Sequence, residues 1–191
     1  VNVEANRLTR RFGAVADQWQ IELSSRVAFG VEWLAGLREE QPPKSFFWVE
    51  LPKAHNKTTF LALVCSWLLC YSQRKLLISV CAAAQKQAGL IRAAMQILRD
   101  RNPALLKHLH ITDRRVSGPG GTLTINTSDE HTGQGEFPDL TIAEEVTIWH
   151  PTRGEALWST LHANWLKRSG LFFVLSNAGY QASWQEKRYA D

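Results

Sequence analysis

A lysine followed by two threonines stands at residues 57–59, between a short apolar run and a long one. A phosphate group is bound well where a helix begins, because free backbone N–H groups, a lysine and a hydroxyl can meet there. Lys57 can contact the outer phosphates of a nucleotide, and Thr58 and Thr59 offer hydroxyl oxygens for a Mg²⁺ ion. The segment therefore predicts a phosphate-binding loop between a strand and a helix.

The loop lacks the glycines of the general phosphate-loop pattern, G-x-x-x-x-G-K-[ST]. Asn56 occupies the second glycine position and Leu51 the first. Asparagine enters the left-handed backbone region more readily than other non-glycine residues, so the loop can keep its conformation. The alternative interpretation is an ordinary helix start that the Asn56 side chain caps.

Two adjacent acids, Glu144 and Glu145, follow an apolar run predicted to be a buried strand over 139–143. Paired carboxylates in this position can bind a metal ion and activate a water molecule for attack on a phosphate. The carboxyl ends of strands are also where open α/β sheets form their sites. The alternative is that the two acids begin a solvated turn.

Apolar periodicity predicts helices and strands in alternation. We expect an α/β fold with a mainly parallel sheet covered by helices on both faces. At 191 residues the chain has the length of one domain, here 1–191, with an N-terminal helix and a nucleotide-binding core over 45–180. The predicted helices are 17–37 (to 38 at most), 58–71, 84–101 and 152–168, and the predicted strands are 45–51, 75–82, 121–126, 139–143 and one within 170–180.

The net charge of +4 is modest, and the basic residues are scattered along the chain. Any contact with nucleic acid must therefore be assembled by folding. No run of about 18 apolar residues predicts a membrane span. The chain begins at Val1 without a leader sequence, so we expect neither secretion nor membrane insertion, and we expect a piece of a longer protein.

Several segments together resemble the ATPase domain of the large terminase subunit, the DNA-packaging motor of tailed bacteriophages. The family's phosphate loop, commonly P-R-x-x-G-K-[ST], is similar to "PKAHNKT" at Pro52, Lys57 and Thr58, with Lys53 in place of the arginine. The resemblance covers most of the chain and implies a P-loop NTPase-type fold. The ATP-binding residues that it implies are Gln20, Lys53, Ala54, His55, Asn56, Lys57, Thr58 and Thr59.

Three further segments carry the resemblance. The family has an aromatic–glutamine pair whose glutamine contacts adenine, and "DQWQ" offers Trp19 and Gln20 for that role. The stretch 125–149 is similar to the family's run from a polar S-x-D into an acidic strand, with Glu144-Glu145 where the family usually has Asp-Glu. "LSNAGY" (175–180) resembles the coupling motif. Its implied coupling residues are Ser176, Asn177 and Gly179, the last giving the turn its freedom.

The resemblance implies a Mg²⁺-dependent ATPase that drives double-stranded DNA into a procapsid. Lys57 and Glu145 would be catalytic, and Thr58 and Glu144 would bind Mg²⁺. It further implies other terminase subunits in a ring, the portal protein and the small subunit as partners, a separate nuclease domain that follows, and the cytoplasm of the bacterial host as location. An arginine finger is expected, and no single residue is favoured among Arg92, Arg101, Arg114, Arg115 and Arg153.

Two other functions remain open at this point. The altered loop and Glu144 could belong to a nucleotide-binding or structural P-loop domain with impaired catalysis. The same elements could also belong to another P-loop ATPase, such as a helicase.

Overall fold

A computed structural model describes residues 17–190 of the chain, except 54, 84, 128–136, 180 and 182. Its strands are β1 (Phe46–Glu50), β2 (Leu76–Ala82), β3 (His110–Ile111), β4 (Arg115–Gly118), β5 (Gly121–Thr127), β6 (Leu140–Glu144) and β7 (Leu171–Ser176). Its helices are α1 (Gln18–Leu34), α2 (Lys57–Tyr71), α3 (Gln85–Arg101), α4 (Pro103–Leu106), α5 (Pro151–Arg168) and α6 (Trp184–Ala190), with a 3₁₀ turn at Val146–Ile148.

These strands form one sheet in the order β1-β7-β6-β2-β5-β4-β3. The pairs from β1 to β5 along that order are parallel, and β4 and β3 are added antiparallel at the far edge. Strands β6 and β7 are buried along their whole length, as their nearly continuous apolar sequences require of central parallel strands. The predicted mainly parallel α/β fold is confirmed.

Helices cover both faces of this sheet. On one face α1, α2 and α3 contribute side chains to a large core with residues of β2, β5, β6 and β7. Helix α2 is buried on nearly all sides, which fits its continuous apolar sequence. On the other face, Trp158 of α5 packs with Trp149 and with Phe172 and Val174 of β7.

The carboxyl ends of three parallel strands meet at one edge of the sheet. Glu50 at the end of β1 pairs with Ser176 at the end of β7, and Glu144 at the end of β6 pairs with Leu175. The loop that follows β1 begins at this edge, where the backbone N–H of Leu51 still donates to the carbonyl of Ser176 (3.1 Å). This pairing brings together segments that lie about a hundred residues apart in the sequence.

Some predicted boundaries differ from the structure. Helix α1 ends at Leu34, short of the predicted 37 or 38, because Gly36 has a left-handed backbone (φ 78°) that ends a helix. The elements α4, β3, β4 and α6 were not predicted, since each has seven residues or fewer and shows little periodicity. In the part of the chain that the structure describes, no helix is long and apolar enough to cross a membrane.

Candidate functional site

The loop before α2 has the backbone conformation that a phosphate loop needs at its glycine. Asn56 lies in the left-handed region (φ 54°, ψ 26°) and makes no side-chain capping hydrogen bond. Its carbonyl accepts the first helical hydrogen bond, from the N–H of Phe60 (3.0 Å). The alternative of an ordinary helix start capped by the Asn56 side chain is therefore wrong.

Lys57 is buried at the base of this loop, with 7% of its surface exposed. Its ammonium group donates to the carbonyl of Leu51 (2.6 Å), to the side-chain oxygen of Asn177 (2.7 Å) and to the carbonyl of Ser176 (3.2 Å). A buried ammonium requires such partners, because its transfer out of water is costly. The residue thus connects the loop after β1 with the end of β7.

The amide group of Asn177 lies between a cation and an anion. Its oxygen accepts from Lys57, and its nitrogen donates to a carboxylate oxygen of Glu145 (2.5 Å). The ammonium of Lys57 also lies 3.4 Å from the other carboxylate oxygen of Glu145. The three side chains form one charged, hydrogen-bonded network across the carboxyl ends of β1, β6 and β7.

Glu144 is buried beside this network, with 3% of its surface exposed. The hydroxyl of Thr58 donates to one of its carboxylate oxygens, and the indole N–H of Trp149 donates to its carbonyl (3.0 Å). Burial raises the pKa of Glu144 to about 7, and the charge of Glu145 adds to the rise. The Thr58 hydrogen bond and the Lys57 charge lower the pKa but do not offset the burial.

Thr58 and Glu144 have the oxygen atoms that a hard cation prefers. The second carboxylate oxygen of Glu144 is buried and has no hydrogen-bond partner among the described residues. Within that same part of the chain no group of three His, Cys, Asp or Glu could hold a metal ion. Mg²⁺ commonly takes one or two protein ligands, together with waters and substrate phosphates, so the residues fit this ion.

Glu145 also has a left-handed backbone (φ 53°, ψ 48°) at the point where β6 ends and the 3₁₀ turn begins. Its N–H donates to the carbonyl of Leu175 (2.6 Å), which holds the residue against β7. Among the described non-glycine residues, Asn56, Glu145 and Ser169 have positive φ. Strained backbone is concentrated at functional sites in proteins. Of these three residues, Glu145 belongs to the network and Asn56 directly precedes Lys57.

The coupling segment after β7 contacts the 3₁₀ turn. The hydroxyl of Ser176 donates to the hydroxyl of Thr147 (3.3 Å) and accepts from its N–H (3.4 Å). Gly179 does not have a left-handed backbone, so the expectation that it gives the turn its freedom is wrong. Its lack of a side chain permits close packing instead, because a Cβ there would lie 3.3 Å from the methyl carbon of Thr147.

A cavity of about 790 Å³ opens over this network. One wall is a stripe of α3 that consists of apolar side chains and ends with Arg101. This stripe was not predicted from the sequence to be part of the site. The available signal was the spacing of three and four residues between its members on a predicted helix. The stripe consists of Leu90, Ala93, Ala94, Ile97, Leu98 and Arg101. The remaining lining residues are Lys53, His55, Asn56, Lys57, Thr58, Thr59, Glu144, Glu145, Ile148 and Asn177.

Most of the predicted site residues thus line one cavity, and the others have different places. Ser176 and Gly179 are not among its lining residues. Ser176 is fully buried, and Gly179 lines a second cavity that shares Asn177 with the first. Ala54 lies outside the described residues, as does the stretch 128–136 of the family-like segment. His55 is exposed at the rim, and its ring nitrogen Nδ1 forms a hydrogen bond with the carbonyl of Lys53 (3.1 Å).

Gln20 is placed away from this lining. Its side-chain oxygen accepts from the N–H of Asp17 (2.9 Å) at the start of α1. Its neighbour Trp19 packs on Phe60 of α2, with ring centroids 5.8 Å apart. The aromatic contact holds α1 close to the first turn of α2, and the adenine contact of Gln20 stays a prediction.

Solved structures share this architecture. The large terminase of bacteriophage HK97 superposes with a TM-score of 0.70 at 17% identity over 91% of this chain. The fold is that of a large-terminase ATPase domain. The terminase ATPase domain of Thermus phage P74-26 gives a TM-score of 0.62 at 12% identity over 82% of the chain and 71% of its own length. The large terminase of another thermophilic bacteriophage, solved in complex with ADP, gives 0.51 at 12% identity over 77% of this chain and 37% of its own.

The likeness to terminases is one of fold. No protein-family model matches the sequence, and no curated protein matches it either. The chain spans about a third of the length of the HK97 terminase, 36%. At these identities the shared terminase fold positions the site, and the residues described above have to carry the chemistry.

Proposed function

We propose that this chain is the ATP-hydrolysing motor domain of a terminase large subunit, which drives double-stranded DNA into a procapsid. The observation that carries the proposal is the network joining Lys57, Asn177 and Glu145 beside the Thr58–Glu144 pair. ATP hydrolysis requires a lysine and a hydroxyl at the start of a helix, and two carboxylates that face them from the end of a nearby strand.

The phosphates of ATP would replace the present partners of Lys57. Its ammonium group now donates to three carbonyl oxygens, of Leu51, Pro52 and Ser176, and to the Asn177 amide. Phosphate oxygens are stronger acceptors because they are charged. The left-handed Asn56 turns the following backbone into α2, so the free N–H groups of its first turn can also donate to the phosphates.

Glu145 is the group that orients or deprotonates the attacking water. The Asn177 amide holds one of its oxygens, which fixes the direction of the carboxylate. Thr58 and Glu144 would hold Mg²⁺, which supplies charge stabilisation for the phosphoryl group during its transfer. The buried Glu144 oxygen, which has no hydrogen-bond partner in the described part of the chain, is the atom that this ion would satisfy.

Asn177 and Ser176 are proposed to pass the loss of the terminal phosphate to the rest of the motor. Asn177 contacts both Lys57 and Glu145, and Ser176 contacts Thr147 in the turn after Glu145. A change in the partners of Lys57 therefore reaches the segment after β7 through one residue. The adenine base is assigned to Gln20, with Trp19 holding α1 against α2.

The partners proposed with this function are double-stranded DNA, bound through its backbone, and other terminase subunits in a ring. The portal protein, the small subunit and the cytoplasm of the bacterial host belong to the same proposal, as does an ATPase domain that continues into a nuclease domain in the whole protein.

Two measurements on the purified chain test the proposal. MgATP affinity and phosphate release are measured separately, and both are expected. Tight binding without phosphate release would instead support a nucleotide-binding domain that serves assembly, and absence of binding would contradict the proposal entirely. For the motor, ATP-driven movement along duplex DNA is expected without strand separation, whereas unwinding of the duplex would indicate a helicase.

A further inference from the structure

The net positive charge of this chain arises from one region of the sequence. Residues 89–118 contain six of the 22 Lys and Arg residues but only two of the 18 Asp and Glu residues. The rest of the sequence therefore has equal numbers of basic and acidic side chains, and the formal net charge of +4 belongs to this stretch. It covers most of α3 and all of α4, β3 and β4, and the last two form the edge of the sheet opposite to β1.

The two acids of this stretch are already neutralised by neighbouring arginines. Asp113 pairs with Arg92 of α3 (2.6 Å), and Asp100 pairs with Arg99 (3.2 Å). The remaining basic side chains are exposed to solvent, so the stretch presents its excess of positive charge at the surface. We call the exposed group of Lys107, His108, His110, Arg114 and Arg115 the basic edge.

The backbone beneath the basic edge is firmly held. Leu106 and Leu109 are buried in the main core, and the Tyr71 hydroxyl donates to the carbonyl of Leu105 (2.9 Å). The carbonyl of Arg114 accepts from the N–H of Ile125 in β5 (2.9 Å). Exposed cations on a rigid backbone lose less conformational freedom when they bind a charged surface.

The basic edge extends along the border of the sheet, and one of its ends lies on the same side of the molecule as the nucleotide cavity. His110 pairs with Ser117, at the other end of β4, so Lys107 and His108 lie toward the amino ends of the parallel strands. Strand β4 runs antiparallel to β5, so the turn carrying Arg114 and Arg115 lies toward the carboxyl ends of the parallel strands. Two strands, β2 and β5, separate β4 from β6, which ends at Glu144. Three strand spacings correspond to roughly 14 Å, so the end of the basic edge that carries Arg114 and Arg115 is close to the cavity.

We propose that the basic edge binds the phosphate backbone of duplex DNA. The groups that it offers are cations and imidazoles, which suit phosphate oxygens. It has no Trp, Tyr or Phe among its five residues on which the bases of a single strand could stack. That the bound polyanion is duplex DNA rests on the proposed packaging function. That the basic edge is the binding surface rests on its charge and exposure alone.

The test compares two double variants in the binding of a short fluorescent duplex over a series of salt concentrations. Lys107→Ala/Arg115→Ala removes two charges of the basic edge. Lys44→Ala/Lys187→Ala is the matched control, because it removes two exposed charges near β1 and on α6, at the other end of the sheet. Each phosphate contact contributes about 0.9 to the slope of log K against log salt, so the first variant should lose about 2 from the slope.

We expect the control to keep the parent slope and the first variant to bind DNA at least about tenfold more weakly at low salt. Two duplexes of different sequence should give the same result. Equal slopes for the parent and the Lys107/Arg115 variant would overturn the proposal. A parent that fails to bind duplex, or that binds single strands more tightly, would overturn it as well.

MgATP affinity, measured on the same preparations, separates this inference from the proposed function. We expect it to be the same in parent and both variants. If the parent does not bind MgATP but the DNA results hold, the basic edge stands and the ATPase proposal fails. If MgATP binds and the DNA slopes are equal, the ATPase proposal stands and the basic edge fails.

Discussion

The ammonium of Lys57 lies 3.4 Å from a carboxylate oxygen of Glu145, so the cation that would bind phosphate and the anion that would activate water form an ion pair. Asn177 bridges the same two groups through its amide. A nucleotide entering the cavity must replace part of this network. Phosphate binding and the position of the Glu145 carboxylate would therefore be linked through contacts that already exist.

Replacement of Lys57 by alanine should abolish measurable MgATP binding. It removes charge-assisted hydrogen bonds worth about 1.5–3 kcal/mol each, which corresponds to a loss of at least about 100-fold in affinity. Titration calorimetry measures the effect, and circular dichroism checks that the variant is folded. Lys75→Ala, which changes an exposed lysine elsewhere, is the control. Unchanged affinity in Lys57→Ala would show that this lysine does not bind phosphate.

The Glu145→Gln variant should bind MgATP and fail to hydrolyse it. Glutamine keeps the shape and can still accept a hydrogen bond from Asn177, but it cannot take a proton from water. We expect phosphate release to fall by about 10²- to 10⁴-fold, the usual contribution of a general base. Glu50→Gln, at the exposed end of β1, is the matched control. Turnover at the parent rate in Glu145→Gln would refute the assignment.

Replacement of Asn177 by aspartate should slow hydrolysis more than it weakens binding. The new carboxylate can still accept from Lys57, but it repels Glu145 instead of donating to it. We therefore expect a large fall in kcat with a small change in MgATP affinity. Gln181→Ala, an exposed change in the same segment, should leave both values alone. A fall in affinity with normal kcat would show that Asn177 acts on the phosphates only.

Substitutions at Asn56 test whether the left-handed backbone of the loop is required. Asn56 already has the left-handed conformation, so Asn56→Gly should change turnover and stability little. Asn56→Ala should destabilise the loop by about 1–2 kcal/mol, the cost of that conformation for a residue with an ordinary side chain. Thermal unfolding and MgATP affinity measure the two variants side by side. A large gain of turnover in Asn56→Gly would mean that asparagine distorts the loop.

Glu144 should give the metal-free protein a pH-dependent stability. Its folded pKa of about 7 is above the ordinary value of 4.5. Its contribution to stability is therefore fully present below about pH 4.5 and is lost as the pH rises through about 7. The Tm of Glu144→Gln, measured with a chelator, should rise relative to the parent between pH 5 and pH 8, which bracket most of this change.

The exposed Glu40→Gln variant removes the same charge and should show no such trend. A Tm difference between Glu144→Gln and the parent that is constant over the whole pH range would contradict a titrating buried carboxylate. A difference that grows toward low pH would contradict the direction of its pKa shift.

The long buried elements of the fold were predictable from the sequence because burial on all sides requires long, nearly continuous apolar runs. Helix α2 is apolar all round and β7 is a continuous apolar run, and both were placed within a few residues. The hairpin of β3 and β4 was missed, since β3 has two residues and only Val116 of β4 is fully buried. Short edge strands are held by pairing with their neighbours, which local composition does not reveal.

The two halves of the site were predictable by residue type, and the resemblance placed them in one site, but the direct contacts between them were not predicted. Lys57 and Glu145 could be predicted because Lys57 lies at the start of a predicted helix and Glu145 follows a predicted strand, and sites of α/β folds form at such positions. The bridge through Asn177 and the hydroxyl of Thr58 on Glu144 depends on strand order, which places β7 between β1 and β6. The apolar wall on α3 was missed because half-exposed leucine and isoleucine have the same pattern as a core helix.

The left-handed backbones of Asn56 and Glu145 set a limit on how this molecule can be improved. A directed-evolution experiment that selects only for heat resistance would favour glycine at position 145, because glycine relieves a torsional cost that asparagine at position 56 largely avoids. At position 56 that change keeps the loop, whereas at position 145 it deletes the carboxylate. Selection for heat resistance alone would thus be expected to enrich stable variants that lack the carboxylate proposed to activate water.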